Sequence, residues 1–277
     1  MNNKNKIKEF EKKMLRILEN DYYLHDAHIL SFEKKDTRAM ITRAYIIEGF
    51  ECGKTKKTRK YFVKMITEDS IYLWKLMQFA KNVYLIFSSK ELMFEIFSTP
   101  LDMAVHEYRR LNMSASINLP TPKVYGINKI DKNGVMIVME ALENVKNLDK
   151  GISDEILNEV FSYLKRMHDA DILHGDIKLS NILYSNRIYF IDSGLFTNYI
   201  NIFDAKMYDL ACTICALVPI ATVDRVIKSA LRFYTCEELS SSCEYLPLAQ
   251  RRPTFEVSNE QISEIREIVE GVRNHKK

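Results

Sequence analysis

The sequence has 277 residues, of which 47% are hydrophobic and 28% charged. Such a composition excludes wholesale disorder and suits one large domain or two modest lobes around a real core. A net charge of +3 is too small to demand a nucleic-acid or membrane partner.

The start of the chain is polar and basic with no apolar stretch behind it, so it predicts no signal peptide. The five cysteines are an odd number outside an export context, which predicts an intracellular, reduced protein of the cytoplasm. Ile7, Phe10, Met14, Ile17 and Leu18 recur at helical spacing and predict an amphipathic opening helix. Residues 28–32, 40–47 and 61–66 read as three strands of an antiparallel meander. A charged turn at 33–38 separates the first two. A loop with Lys54, Lys56, Lys57, Arg59 and Lys60 precedes the third. That loop has two readings, a solvated hairpin tip or a docking patch for RNA or an acidic partner.

Residues 67–99 read as an insertion containing one or two helices. Its most apolar part, 71–87, carries Lys75 and Lys81 and is too short for a membrane span, so none is expected. Pro100 and Asp102 open a helix whose apolar face holds Leu101, Ala104, Val105, Tyr108 and Leu111, with Glu107 at its edge. The prolines at 120 and 122 break it, and 124–130 and 135–140 form a hairpin.

The second half is mainly helical. Ser153, followed by Asp154 and Glu155, starts a helix with Leu157, Val160, Phe161, Leu164 and Met167 on its core face. Cys212 and Cys215 have CxxC spacing, but Cys236 and Cys243 do not supply a second zinc-type pair. They are read as small apolar residues of a buried helix over 211–218. Ser258 and Gln261 form a capping box for the last helix. Strands early and helices late predict an α+β protein with an antiparallel-sheet N-lobe over 1–141 and a small, mainly helical C-lobe over 142–277.

The informative string is HGDIKLSN, from His174 to Asn181. A short hairpin succeeds it, with strands at 182–184 and 188–191, and then Asp192-Ser193-Gly194. The hairpin brings its two ends together, so Asn181 and Asp192 converge. An oxygen-rich pair of this kind suits magnesium, which takes few protein ligands beside phosphate oxygens and water. Asp176 is then free to accept a hydroxyl proton during phosphoryl transfer. Asp-Ser-Gly alone is an ordinary turn; the fixed spacing from Asp176 to Asn181 and the strand–turn–strand give it its meaning.

This string resembles the catalytic loop of protein kinases, with Gly175 where Arg is commoner, and Asp192-Ser193-Gly194 resembles the Asp-Phe-Gly metal motif. The resemblance implies a bilobal protein-kinase-like fold and use of ATP with Mg²⁺ or Mn²⁺. It implies that Asn181 and Asp192 hold the metal, that Asp176 is the base, and that Lys178 contacts the γ-phosphate. Lys64 in the string YFVKM is similar to the lysine that binds the α- and β-phosphates. Glu107 is its expected partner, with Glu91 and Glu95 as competitors. Backbone between Glu140 and Leu142 would hold adenine. Asp209 resembles the helical aspartate that braces the catalytic loop. The resemblance covers 61–218 and leaves out the opening helix, the 67–99 insertion and the last fifty residues.

Among branches of the superfamily, the LPTPKVYG string from Leu119 to Gly126 and the Ile172-Leu-His-Gly-Asp string resemble the KEOPS-complex kinase and RIO families. The expected activity is that of an atypical Ser/Thr protein kinase or kinase-like ATPase. The alternatives are a small-molecule phosphotransferase, which Lys178 disfavours, and a pseudokinase scaffold, favoured by the lack of glycine in the 33–38 turn. Lys34, Lys35 and Arg38 in that turn offer side chains for phosphate instead. Only a short connection separates Asp192 from Asp209, which implies control by a protein partner or the insertion rather than by activation-loop phosphorylation. KEOPS-type kinases work beside tRNA, so the resemblance also implies tRNA or another RNA as a partner.

Overall fold

The computed structural model describes residues 3–33, 42–51, 57–88, 90–132, 134–194, 196–197, 200–252 and 254–275. The turn residues Lys34, Lys35 and Arg38, the loop residues Lys54 and Lys56, and Cys52 lie outside the described residues. The chain divides into two compact units. One comprises Met1–Ala80, Ile96–Asn112 and Pro122–Glu143, the other Lys81–Glu95, Met113–Thr121 and Asn144–Lys277. This division is more interleaved than a single cut near residue 141. Leu85, Met93, Phe94 and Leu119 are buried in the core of the helical unit, and their segments go with them.

The first unit opens with helix α1 (Asn3–Asp21) and strands β1 (Leu24–Glu33), β2 (Thr42–Glu51) and β3 (Lys57–Thr67). Helix α2 (Glu68–Phe87) comes next, continuing into the second unit, and then helix α3 (Pro100–Ser116) and strands β4 (Val124–Asp131) and β5 (Gly134–Glu140). The five strands form one antiparallel sheet in the order β1-β2-β3-β5-β4. Side chains alternate across a strand. Tyr61, Val63 and Met65 of β3 therefore share one face, where they join Met136 and Val138 of β5 and Met14 and Leu18 of α1 in a core. Lys64 and its register partner Ile137 belong to the opposite face, which is the one that meets α3. Among the described residues the insertion holds one helix, α2, followed by residues without a helix or strand; Trp74 stacks on Phe97 at 5.6 Å between ring centroids.

The second unit adds strand β6 (Lys146–Asn147), helix α4 (Asp154–Asp169), and strands β7 (Ile182–Tyr184) and β8 (Ile188–Phe190). Helices α5 (Ile202–Leu217), α6 (Val223–Ala230), α7 (Cys236–Ser242), α8 (Leu246–Gln250) and α9 (Asn259–His275) complete it. Ser153 caps α4 by accepting from the Ile156 N–H, and Leu157, Val160, Phe161, Leu164 and Met167 face the core. Asn201 caps α5, whose residues from Met207 to Leu217 are all buried. Cys212 and Cys215 lie inside that helix as free thiols, and burial pushes both up. Ser258 and Gln261 exchange two hydrogen bonds, the reciprocal capping box of α9. Among the described residues no helix is long and apolar enough to cross a membrane.

His106 on α3 packs its ring against Phe97, and its Nδ1 is buried without a hydrogen-bond partner among the described residues. Burial, with Arg110 and Arg109 nearby, lowers its pKa from 6.5 to about 4. A folded pKa below the unfolded one means that the unfolded chain binds more protons in between. The contribution is therefore intact above pH 6.5 and shrinks as pH falls towards about 4. His106→Gln should flatten the acid side of the stability curve measured by urea unfolding between these limits. An unchanged slope would refute the assignment.

Candidate active site

In the first unit, Lys64 donates from Nζ to both carboxylate oxygens of Glu107, at 2.9 and 2.7 Å. The two residues are 6% and 4% exposed. A lysine at this depth on a strand needs a partner, because an unpaired buried charge is costly. Period-two alternation turns Lys64 from the α1 face towards α3, and Glu107 lies on the buried face of that helix with Ala104 and Leu111. Glu91 and Glu95, the competing carboxylates, belong to the second unit. At the end of β5 the Glu140 N–H donates to the Lys123 carbonyl at 2.8 Å, and Glu140 Oε2 accepts from the Lys123 N–H at 3.1 Å. Leu142, two residues on, is half-buried.

In the second unit the residues from His174 to Gly194 are built around backbone hydrogen bonds. Asp209 on α5 is fully buried, and its carboxylate accepts from the N–H groups of His174 at 2.6 Å and Gly175 at 2.8 Å. Nε2 of His174 lies 3.1 Å from the Ile191 carbonyl, which can only accept, so Nε2 carries the proton. Nδ1 then accepts from the Asp176 N–H at 3.2 Å. Burial lowers the pKa of His174, in keeping with this one-donor, one-acceptor role. The His174 carbonyl accepts from Gly194 N–H at 2.5 Å, which joins the catalytic loop to the Asp192-Ser193-Gly194 turn.

The two glycines explain the local sequence. Gly175 has φ +78°, a left-handed conformation that costs L side chains energy, so an arginine at this position would be strained. A Cβ on Gly194 would sit 2.5 Å from the Gly175 carbonyl carbon and 2.7 Å from the Asp176 nitrogen. Asp192 itself has φ +55°.

Asn181 gathers the remaining groups. Its backbone carbonyl accepts from the Ile191 N–H at 3.0 Å, closing the β7–β8 hairpin. Its Nδ2 donates to the Asp176 carbonyl at 2.8 Å and to Asp176 Oδ2 at 3.1 Å, and lies 3.4 Å from the Asp192 carbonyl. Its Oδ1 is buried with no hydrogen-bond partner among the described residues. An orphaned amide oxygen on a residue that touches Asp192 is the kind of donor a divalent cation takes, so the residue types fit a magnesium ion that keeps its other positions for phosphate and water.

Asp176 is surrounded by cations. Lys178 Nζ is 3.0 Å from Oδ2, and Arg252 donates from Nη2 to Oδ1. Burial opposes ionisation, but Arg252, Lys178 and Lys81 together hold the carboxyl well below the usual carboxylate range. Lys81, on the last turns of α2, lies over the Phe94 ring at 4.7 Å. Burial, with Arg252 nearby, pushes its pKa down to about 8. Neither Arg252 nor Lys81 was a candidate from sequence. Arg252 has no periodic or motif signal, and Lys81 shows only as a lysine inside an apolar run. Asn82 next to it bonds the Phe94 backbone twice, at 2.8 and 3.0 Å, and Phe94 forms a β-bridge with Phe196 just after Gly194. The end of the insertion is thus hydrogen-bonded to the segment that leaves the Asp-Ser-Gly turn.

Known proteins share parts of this chain. The family model described as RIO domain matches residues 55–199. Over 123 residues the chain is 32% identical to the EKC/KEOPS complex subunit BUD32 of Enterocytozoon bieneusi (strain H348), covering 38% of this chain and 56% of that protein. It is 38% identical over 97 residues to a protein of Archaeoglobus fulgidus named as a serine/threonine-protein kinase BUD32 homolog, covering 31% and 46%. The chain thus spans about half the length of these relatives. Among solved structures, a protein from Haemophilus somnus 129PT described as a fructosamine-3-kinase superposes with a TM-score of 0.50 at 12% identity, over 96% of this chain and 98% of that one. That likeness concerns the fold, which is α+β and protein-kinase-like.

Gly194→Ala should cost about 1–3 kcal/mol of stability in urea unfolding, the usual range for forced overpacking. Its Cβ meets backbone rather than a flexible side chain. Gly271→Ala, whose Cβ meets nothing within 4 Å in α9, is the control and should be neutral or mildly stabilising. Equal effects at the two positions would contradict the close approach of the two loops.

Proposed function

The chain belongs to the RIO domain family, and on that premise we propose that it is an ATP-dependent phosphotransferase acting on protein Ser or Thr hydroxyls. The observation that carries this reading is Asn181, whose Nδ2 bonds Asp176 and lies 3.4 Å from the Asp192 carbonyl while its buried Oδ1 stays unsatisfied among the described residues. Asn181 and Asp192 would hold Mg²⁺, or Mn²⁺, which supplies charge neutralisation to the phosphates when bound. Lys178 contacts the γ-phosphate, and Lys64, held by Glu107, binds the α- and β-phosphates. The backbone between Glu140 and Leu142 takes adenine.

In the transfer, the acceptor oxygen forms a bond to the γ-phosphorus and the bond to the β–γ bridging oxygen breaks, leaving ADP. The acceptor proton passes to Asp176. A carboxylate held strongly ionised is a weak base, which suits a loose transition state where the hydroxyl loses its proton late. The work of the site is positioning and electrostatics.

The test is turnover of radiolabelled Mg-ATP with dephosphorylated casein, with a small-molecule acceptor panel and with no acceptor. We expect label on protein, lost about 10²–10⁴-fold in Asp176→Ala, as for removal of a general base. Label only on a small acceptor would support a small-molecule phosphotransferase, and ATP binding without turnover a scaffold.

The relatives named as KEOPS complex subunits support a protein partner that regulates the enzyme, and the resemblance brings tRNA with it. Of the basic residues expected in a loop, Lys57, Arg59 and Lys60 instead belong to β3, where they extend the pairing with β2. Arg59 pairs with Glu51 and stacks over Tyr61 and Tyr125 at 5.3 and 5.1 Å, and Lys60 lies 3.7 Å from Glu48. Neutralising Lys54, Lys56, Lys57, Arg59 and Lys60 together should abolish salt-dependent tRNA binding. Binding that persists in the five-fold variant would exclude this loop as the dock.

A further inference from the structure

Arg252 comes from a part of the chain outside both the sequence resemblance and the family match, yet its guanidinium reaches Asp176. It lies just after α8, where its N–H donates to the Ala249 carbonyl at 2.9 Å and its carbonyl accepts from Phe255 N–H at 3.0 Å, so one tight turn fixes its backbone. The guanidinium lies 4.9 Å from the centroid of the Phe255 ring. Nη1 donates to Cys212 Sγ at 3.4 Å, and Nη2 donates to Asp176 Oδ1. The residue is 9% exposed. A planar guanidinium held on one face by an aromatic ring and at one nitrogen by a helix side chain has little freedom left, and it presents Nη2 in a fixed direction.

The two oxygens of the Asp176 carboxylate are therefore held separately. Oδ2 accepts from Lys178 at 3.0 Å and Asn181 at 3.1 Å, while Oδ1 accepts from Arg252. A carboxylate oxygen has two acceptor directions. One on Oδ1 is filled by Arg252, and the plane of the carboxylate is set, leaving the second direction for an incoming hydroxyl. Lys178 cannot do this alone. Its side chain is a flexible point charge on the catalytic loop itself, and a lysine that contacts a phosphate would leave Asp176.

We propose that Arg252 is a positioning residue for phosphoryl transfer, orienting the Asp176 carboxylate towards the acceptor hydroxyl, and that the segment from α8 to α9 is thereby a required part of the active centre. The proposal rests on Asp176 being the base.

The experiment measures kcat and the KM for Mg-ATP on the 277-residue chain, with dephosphorylated casein, for wild type, Arg252→Lys, Arg252→Met, Asp176→Asn and the Asp176→Asn/Arg252→Met double variant. Misplacement of a reacting group by about 1 Å costs about 10²-fold. Arg252→Met should lose kcat by about that factor with KM for ATP unchanged, and Arg252→Lys should recover part of it. The Arg252→Met change should cost nothing further once Asp176 is Asn. Guanidinium ion added to Arg252→Ala should restore part of the rate. Wild-type kcat in Arg252→Met would overturn the proposal, as would an equal loss in the Asp176→Asn background. A raised kcat would overturn it too and would make Arg252 a block on the base. If Arg252→Met fails to fold by circular dichroism, Arg252→Lys decides: a raised KM with unchanged kcat rejects the proposal. Full activity in Asp176→Asn would instead defeat the base assignment, whatever Arg252 does.

Discussion

The stretch from His174 to Gly194 in the second unit depends on one buried carboxylate. Asp209 has no solvent access, and both its oxygens accept backbone N–H bonds from consecutive residues, His174 and Gly175. Two such bonds hold two successive peptides, Leu173–His174 and His174–Gly175, and so direct the chain into Asp176. With Gly175 left-handed, the chain turns so that the Asp176 N–H meets His174 Nδ1, and the imidazole is aimed at Ile191. His174 O then takes Gly194, and Asn181 O takes Ile191. Removing the Asp209 carboxylate would leave two buried N–H groups unsatisfied, each worth roughly 1–3 kcal/mol. The helix that carries Asp209 is almost wholly buried, so its position is set by core packing. Hydrophobic burial of α5 is in this way converted into placement of polar groups.

Much of this was legible because it is local. His174 to Gly194 is a contiguous stretch, and a three-residue strand on each side of a tight turn must bring its ends together. The approach of Asn181 to Asp192 is a result of chain connectivity. Lys64 and Glu107 were legible for a different reason. The string YFVKM resembles the strand that carries the phosphate-binding lysine, and helix periodicity puts Glu107 at the edge of the apolar face of α3, so the resemblance and the period together name a pair that the structure buries side by side. The Cys212 and Cys215 pair read correctly as core, since α5 offers no polar face.

What sequence reasoning missed lies at long separation or in short elements. Arg252 is 76 residues from Asp176 and sits in a turn between α8, five residues long, and α9. No periodicity marks such a turn, and an isolated arginine defaults to the surface. β6 has two residues, too few for an alternating pattern, and exists because it pairs with β7. The end of the insertion was ambiguous because its apolar run satisfies a core, an exposed face and a short buried segment equally well. Asn82 resolves it in the structure by bonding Phe94 on both its backbone groups, a pairing that spans twelve residues and leaves no trace in composition.

The charge arrangement around Asp176 has a consequence for how the site can work. Lys178, Arg252 and Lys81 together outnumber the carboxylate they surround, and the first two are already hydrogen-bonded to it. Desolvation resists a second bare charge, which is why Lys81 is pushed down to about 8 while the carboxylate stays ionised. Such a cluster is most stable when an anion enters it, since a second negative charge relieves repulsion among the cations and offers Lys178 another partner. Arg252 has no such freedom, because Cys212 and Phe255 hold it. One cation can follow an entering anion and one stays with Asp176, so the carboxylate keeps its orientation while the charge around it changes.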